Sequence, residues 1–254
     1  MFKFKSISHI EGRTVVRLEL DVSGSLDKSL VDSINGACDS VEDAGAGATL
    51  LVLLNGRRDA GAGSAGGALD VTLVNQWERA LRRIERLNAV TIAALSGACN
   101  DLGVAVMLTT DYRIAAEDVS LSLCSRDGGI LPGMVLHRLA NQIGVTWSRR
   151  FALLGMPLDA PLASSLGLVD ETSGDAELAA GAFLKTLCPT IAGDLSVRRR
   201  LLLDASSLSY DDGLGTHLAA CDRLLRSARQ PAAAMLAHAH AHAHAPVAAA
   251  ECAL

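Results

Sequence analysis

Aromatic residues are scarce in this sequence: Phe, Trp and Tyr make up 3% of its 254 residues, although half of all residues are hydrophobic. The core must therefore be aliphatic, a composition that suits layers of helix and sheet better than an all-β sandwich. No stretch of about 18 uncharged apolar residues is present, so the sequence predicts no membrane-spanning helix and no membrane partner. The first residues also lack the apolar run of a signal peptide, and we expect a cytoplasmic protein.

Paired cysteines and a basic stripe are missing too. The six cysteines form no CxxC pair and have irregular spacing, which is typical of reduced, buried thiols rather than of a zinc site. The formal net charge is −5, whereas a nucleic-acid-binding surface is usually basic, so we expect no nucleic-acid partner. The tightest basic clusters, Arg82–Arg83 and Arg198–Arg200, are interpreted as solvated helix faces or as contacts for the phosphates of a charged ligand.

Strands alternate with helices over most of the chain. Short apolar or alternating runs predict strands at 14–20, 49–54, 90–95, 112–115, 119–123 and 168–170. Apolar residues at helical spacing predict helices at 25–42, 69–87, 104–110, 135–143, 146–154 and 159–166, with a polar loop at 97–103. From 175 to 229 the pattern is helical, with polar breaks near 189–194 and 205–212. This order predicts an α/β protein with a parallel sheet and a C-terminal helical layer.

The last stretch, 231–254, is rich in alanine and has low complexity. Four histidines alternate with alanine there: His238, His240, His242 and His244. A strand would place all four imidazoles on one face, whereas a helix would pair them at a spacing of four residues, which can hold a metal ion. The composition favours a disordered tail, and we expect no metal site.

Two stretches, Ile92–Gly97 and Asp111–Ala115, resemble the central signature of the crotonase (enoyl-CoA hydratase/isomerase) superfamily. Three others agree with it in order and spacing: Leu51–Gly56, Ser64–Gly67 and Leu153–Glu171. The resemblance implies a crotonase-type ββα spiral core at 1–174 and a C-terminal helical region at 175–230, ahead of the tail. It also implies a homotrimer or a hexamer made of two trimers.

The resemblance implies an oxyanion hole, in which two backbone N–H groups stabilise the charge that forms on a thioester oxygen. Its donors would be the N–H groups of Ala65 and Leu102. The substrate would also contact Arg57, Gly66, Gly103, Pro132 and Gly133, with Arg57 or another nearby basic side chain near the phosphates of coenzyme A. Coenzyme A belongs to the substrate, and no separate cofactor is expected.

The chain departs from the family pattern at the positions that carry its chemistry. A run of glycines is replaced by Asn100–Gly103, so a left-handed backbone at Leu102 would be strained. The two glutamates of an ordinary hydratase fall, by gap-free counting, on Ala105 and Ser125, which cannot transfer protons at neutral pH. Water addition by paired carboxylates is therefore not expected.

Other groups near these positions could replace the missing acids. Asp127 is interpreted as a single acid/base residue or as a turn residue before Gly128. Asp101 is interpreted in the same catalytic role or as the N-cap of a helix. Other candidates are Ser125 in the loop of the second acid and Cys124 as a nucleophile. His137 on the next helix is interpreted as a replacement group or as a residue that packs on the helix face.

Four stretches carry a narrower resemblance: 75–85, 132–139, 197–203 and 217–222. They resemble the accessory enoyl-CoA hydratase-like proteins of 3,5-dihydroxyphenylglycine biosynthesis. This resemblance implies a type III polyketide synthase and sister crotonase-like proteins as partners, and 3,5-dihydroxyphenylacetyl-CoA as the product. Three hypotheses stay open: a lyase or isomerase acting on an acyl-CoA or polyketide thioester, a non-catalytic partner that stimulates the synthase, and a CoA-ester hydrolase or decarboxylase.

Overall fold

A mixed sheet lies at the centre of the amino-terminal part of the chain. The computed structural model describes residues 3–10, 12–56, 70–123, 133–187 and 195–243, without the side chains of 3–5 and 227–243. Six strands form the sheet in the order β1 (Lys3–Ile10), β2 (Arg13–Asp21), β3 (Thr49–Gly56), β4 (Val90–Cys99), β5 (Tyr112–Ala116) and β8 (Glu171–Ser173). Two short strands, β6 (Ser120–Leu121) and β7 (Leu158–Asp159), extend from β4.

The strand predictions hold for the central strands and fail at the edges. β2, β3, β4 and β5 pair in parallel as predicted, but β1 pairs antiparallel to β2, so the sheet is mixed rather than parallel. β1 escaped prediction because polar residues interrupt its apolar ones. β4 continues to Cys99, into the predicted polar loop at 97–103. The strand predicted at 168–170 is instead β8, which starts at Glu171, and Leu168 and Val169 are buried in the core before it.

Eight helices are present among the described residues. They are α1 (Lys28–Ala44), α2 (Val71–Arg86), α3 (Asp101–Met107), α4 (Val135–Leu153), α5 (Ala160–Ser165), α6 (Ala176–Thr186), α7 (Leu195–Ala205) and α8 (Tyr210–Ala243). An aspartate side chain caps the first turn of α1, α2, α5 and α6 by accepting a backbone N–H three residues later, which fixes where these helices begin. α4 is broken at Gly144, where φ is 74°, in agreement with the two helices predicted there.

The chain divides into two compact units, Met1–Arg199 and Arg200–Leu254. The spiral core was predicted to end at residue 174, whereas the first unit extends to Arg199. The first unit includes α6, which packs on β4 and β5. In the second unit the backbone of α8 stays helical as far as Ala243, within the stretch for which disorder was predicted. His244 lies outside the described residues.

Among the helices of the described ranges, none is both long and apolar enough to cross a membrane.

Candidate functional site

The carboxyl ends of β3 and β4 approach each other so closely that both need glycine. A Cβ atom on Gly56 would lie 1.9 Å from the carbonyl oxygen of Ala98. A Cβ atom on Gly97, whose φ is 67°, would lie 2.1 Å from the carbonyl oxygen of Gly56. This backbone contact fixes the point from which the chain leaves towards residue 57 on one side and towards α3 on the other.

A row of polar side chains crosses the same end of the sheet. Asn55 donates from Nδ2 to Glu19 at 3.0 Å and accepts at Oδ1 from the Ser96 hydroxyl at 2.8 Å. Next along the sheet, Asp118 accepts the N–H of Gly97 at 3.2 Å. Ligands of parallel sheets usually bind at the carboxyl ends of the strands, so this row lies where a site is expected.

A polar cavity of about 310 Å³ adjoins this row, between the strand ends and the first turn of α6. Its polar lining residues are Asn55, Ser96, Asp118, Asp175 and Glu177. The sequence predictions did not include this cavity. A signal was available, because Asn55 and Ser96 are each the polar residue that follows an apolar strand and precedes a glycine.

The start of α3 carries the second predicted oxyanion donor. Asn100 is the N-cap of this helix: its Oδ1 atom accepts the N–H of Leu102 at 3.1 Å and the N–H of Gly103 at 3.3 Å. Its Nδ2 atom donates to the carbonyl oxygen of Gly24 at 3.1 Å. The interpretation of Asp101 as the N-cap is therefore wrong, because Asp101 is already the first helical residue.

The packing of α3 against its neighbours explains why leucine and glycine occupy positions 102 and 103. Leu102 lies in the first turn of α3, so the strain expected from a left-handed backbone does not arise, and its side chain is buried in the core. A Cβ atom on Gly103 would lie 3.0 Å from Cγ2 of Val22 and 3.1 Å from Cβ of Cys99. Burial raises the pKa of the Cys99 thiol to about 12, which disfavours the thiolate form that a nucleophile needs.

Gly133, the other described substrate-binding candidate, lies beside a buried ion-pair cluster. Arg138 of α4 binds Glu85 at 2.6 Å and Glu78 at 2.7 Å, both on α2. Glu78 also accepts the N–H of Met134 at 3.0 Å. Burial lowers the pKa of Arg138, but hydrogen bonds to Glu85 and Glu78 outweigh this and raise it above its ordinary value.

The arginine and aspartate of the predicted signature Asp111–Ala115 have structural roles. Asp111 accepts the N–H of Thr91 at 2.8 Å and pairs with Arg199. Arg113 donates to carbonyl oxygens at the end of α3, including that of Met107 at 2.9 Å, and burial lowers its pKa. These contacts join α3 and β5 to their neighbours, and they explain why the signature indicates a fold rather than a reaction.

Of the predicted site residues, the structure places Asp101, Leu102, Gly103, Gly133 and His137. Seven lie outside the described residues: Arg57, Ala65, Gly66, Cys124, Ser125, Asp127 and Pro132. Asp101 is buried, with 8% of its surface exposed, and it interacts with other groups. Within the described ranges, no group of three or more His, Cys, Asp or Glu residues could hold a metal ion.

Comparison with known proteins decides the family. A family model described as enoyl-CoA hydratase/isomerase matches residues 58–187. A curated enoyl-CoA hydratase of Amycolatopsis orientalis is 36% identical over 209 residues, which cover 82% of this chain and 95% of that protein. The chain belongs to the enoyl-CoA hydratase/isomerase family.

Solved structures of the enoyl-CoA hydratase/isomerase family have the same fold. The enoyl-CoA hydratase of Thermoplasma volcanium GSS1 is 18% identical, covers 87% of this chain and 92% of its own, and has a TM-score of 0.69. That of Mycobacterium smegmatis is 14% identical, covers 93% of this chain and 97% of its own, and also has a TM-score of 0.69. The predicted crotonase-type α/β fold is confirmed.

This member of the enoyl-CoA hydratase/isomerase family has no acid at the first position where counting places a glutamate. Ala105 lies in the interior of α3 and is completely buried among apolar residues. An ionised carboxylate there would be costly without a partner. The surroundings of residue 105 are therefore those of a core position.

Proposed function

We propose that the protein acts on an acyl-CoA or polyketide thioester and assists a type III polyketide synthase in dehydration and aromatisation to 3,5-dihydroxyphenylacetyl-CoA. Family membership supports the thioester, and the narrower sequence resemblance supports the pathway. The observation that carries the proposal is the buried Ala105, because it removes one of the two carboxylates of ordinary hydration. Aromatisation needs less help, since the product ring supplies much of the driving force.

The reaction with the synthase is the direct test. We expect the protein to raise the yield of the aromatic acyl-CoA when it is mixed with the synthase and malonyl-CoA. The yield is measured by chromatography over a range of protein ratios. An unchanged product distribution at every ratio would refute the role in this pathway.

A non-catalytic partner that only binds and stimulates the synthase is the second candidate. The observation that favours it is the Asn100 side chain, which takes both N–H groups at the start of α3. Asp101→Asn and Asp127→Asn separate the candidates. Light scattering or calorimetry measures the association of each variant with the synthase. If a variant loses the stimulation but still associates, the protein is an enzyme. If both variants stimulate fully, it is a binding partner.

We expect negligible hydration of crotonyl-CoA, because neither Ala105 nor Ser125 can transfer a proton. The loss of the enoyl absorption in the ultraviolet measures this reaction. An ordinary family hydratase, assayed at the same concentration, serves as the positive control. A turnover close to that of the control would show that the acids lie elsewhere in the chain.

We also propose a homotrimer or a pair of trimers, a state that the resemblance implies. In the second unit Leu202 is 74% exposed and Leu225 is 57% exposed. Burial of such apolar side chains in an interface between copies of the chain is favourable. Light scattering at micromolar concentration should give three or six times the monomer mass. A strict monomer would contradict this proposal.

A further inference from the structure

Helix α8 carries an exposed apolar stripe. Leu214, Leu218, Cys221 and Leu225 follow one another at spacings of four, three and four residues, which places them on one face of the helix. All four are exposed, and Leu218 is the most exposed of the three leucines, at 59%. This spacing is typical of a helix that packs along its length against a second helix.

Among the described residues, none covers this stripe. Gly213 and Ala220 are buried, and they mark a different face of α8. Helix α7 leaves the stripe open as well, because a cleft of about 410 Å³ lies between its second half and the start of α8, and Leu214 lines this cleft. A regular apolar stripe that is left in water favours association with another surface.

The charges beside the stripe favour a second copy of the same chain, in antiparallel orientation. Asp211 and Asp212 lie at the start of α8. At the other end of the stripe Asp222 pairs with Arg226 at 2.7 Å, and Arg223 leaves that end with an excess of positive charge. Antiparallel copies bring each acidic end near the basic end of the other, and they also align the two helix dipoles favourably. Parallel copies would instead bring the two acidic ends together.

We propose that α8 joins two copies of this chain, which pack their stripes in antiparallel orientation about a two-fold axis midway along the stripe. In this register Leu214 packs against Leu225 of the second copy, and Leu218 packs against Cys221 of the second copy, because the members of each pair lie equally far from the midpoint. A two-fold contact uses the same surface on both copies, so the assembly contains an even number of chains.

The contact is small compared with ordinary interfaces, which bury about 1,600 Å² in total. Several such contacts that act together hold more firmly than one, as they would between two trimers. The inference therefore goes further than the trimer or pair of trimers proposed above, because a two-fold contact through α8 is compatible only with the pair. It does not depend on the proposed reaction.

Leu218→Asp tests the contact. The wild type should have the mass of an even number of chains in sedimentation at micromolar concentration. The variant should have half that mass, because each contact would otherwise bury two carboxylates in an apolar seam. Thr216→Asp is the matched control: it adds the same charge to an exposed position on the opposite side of the same helix, and it should keep the wild-type mass. Circular dichroism checks that both variants retain their helices.

A cysteine link tests the orientation, also if Leu218→Asp fails to fold. In Leu218→Cys the antiparallel register sets the new thiol beside Cys221 of the second copy, so mild oxidation should link the chains in pairs on a non-reducing gel. Leu218→Cys combined with Cys221→Ser should lose this link. Mass spectrometry of the linked peptides identifies the bonded residues. A wild-type link between the two Cys221 side chains would instead indicate parallel packing and would contradict the proposed register.

Other results would overturn the contact itself. A wild type with the mass of one chain or three chains excludes a two-fold interface. A folded Leu218→Asp protein of unchanged mass would show that the stripe is not an interface, and a lowered stability at that unchanged mass would show that it packs against its own chain. The proposed function would stand in each case, because none of these measurements concerns the thioester.

Discussion

Arg138→Met should lower the free energy of unfolding by about 3–5 kcal/mol, because it leaves two carboxylates buried without their partner. The side chain of Arg138 is 8% exposed, and those of Glu78 and Glu85 are 17% and 15% exposed. The guanidinium group makes four hydrogen bonds to these two carboxylates, a fork that Arg138→Lys cannot reproduce. Chemical denaturation followed by circular dichroism measures the loss.

Two further variants identify the cause of this loss. Adding Glu78→Gln and Glu85→Gln to Arg138→Met should restore much of the stability, because the triple variant buries no unpaired charge. Arg200→Met is the matched control: Arg200 is 78% exposed and its contact with Asp204 spans 3.6 Å, so we expect a change below about 1 kcal/mol. Equal losses for Arg138→Met and Arg200→Met would mean that burial of the cluster is unimportant.

Gly97→Ala should destabilise the fold by at least about 4 kcal/mol and lower the yield of folded protein. The added Cβ atom would lie 2.1 Å from the carbonyl oxygen of Gly56, and both strands are held by the sheet. The φ of 67° adds a strain of about 1–3 kcal/mol for a residue with a side chain. The soluble fraction and the denaturation midpoint are the measurements.

Gly36→Ala is the control for this prediction. Gly36 lies within α1, and a Cβ atom there would meet nothing within 4 Å. The substitution should raise stability by about 0.5–1 kcal/mol, because alanine favours helix over glycine. A Gly97→Ala protein as stable as the wild type would show that β3 and β4 can separate at their ends without cost.

The sequence predicted the central elements because their burial follows a simple periodicity. β3 is apolar from Leu50 to Leu54, and α2 buries Trp77, Leu81 and Ile84 at helical spacing. Edge strand β1 lacks such a pattern, because what holds it is its backbone pairing with β2. Local pattern therefore recovers elements whose buried residues recur at a regular spacing and loses a strand that is held by backbone pairing.

The site was less predictable because its contacts join distant parts of the chain. Asn100 was noticed only as a departure from a glycine run, since its partner Gly24 lies 76 residues away in sequence. Glu78 and Arg138 are 60 residues apart and belong to helices that were predicted separately. Residue types and spacing could not show which side chain satisfies the N–H groups at the start of α3.

The anchoring of α3 at its carboxyl end determines which motion could expose its first N–H groups. Arg113 binds the carbonyl oxygen of Met107, and Gln142 binds that of Leu108 at 2.9 Å, so the helix cannot shift along its axis without breaking these bonds. Exposing its first N–H groups therefore requires only a rotation of Asn100. Side-chain rotations take picoseconds to nanoseconds when the side chain is exposed, far less than the microseconds to milliseconds of domain closure. Release of this cap is therefore a local side-chain motion rather than a movement of the whole helix.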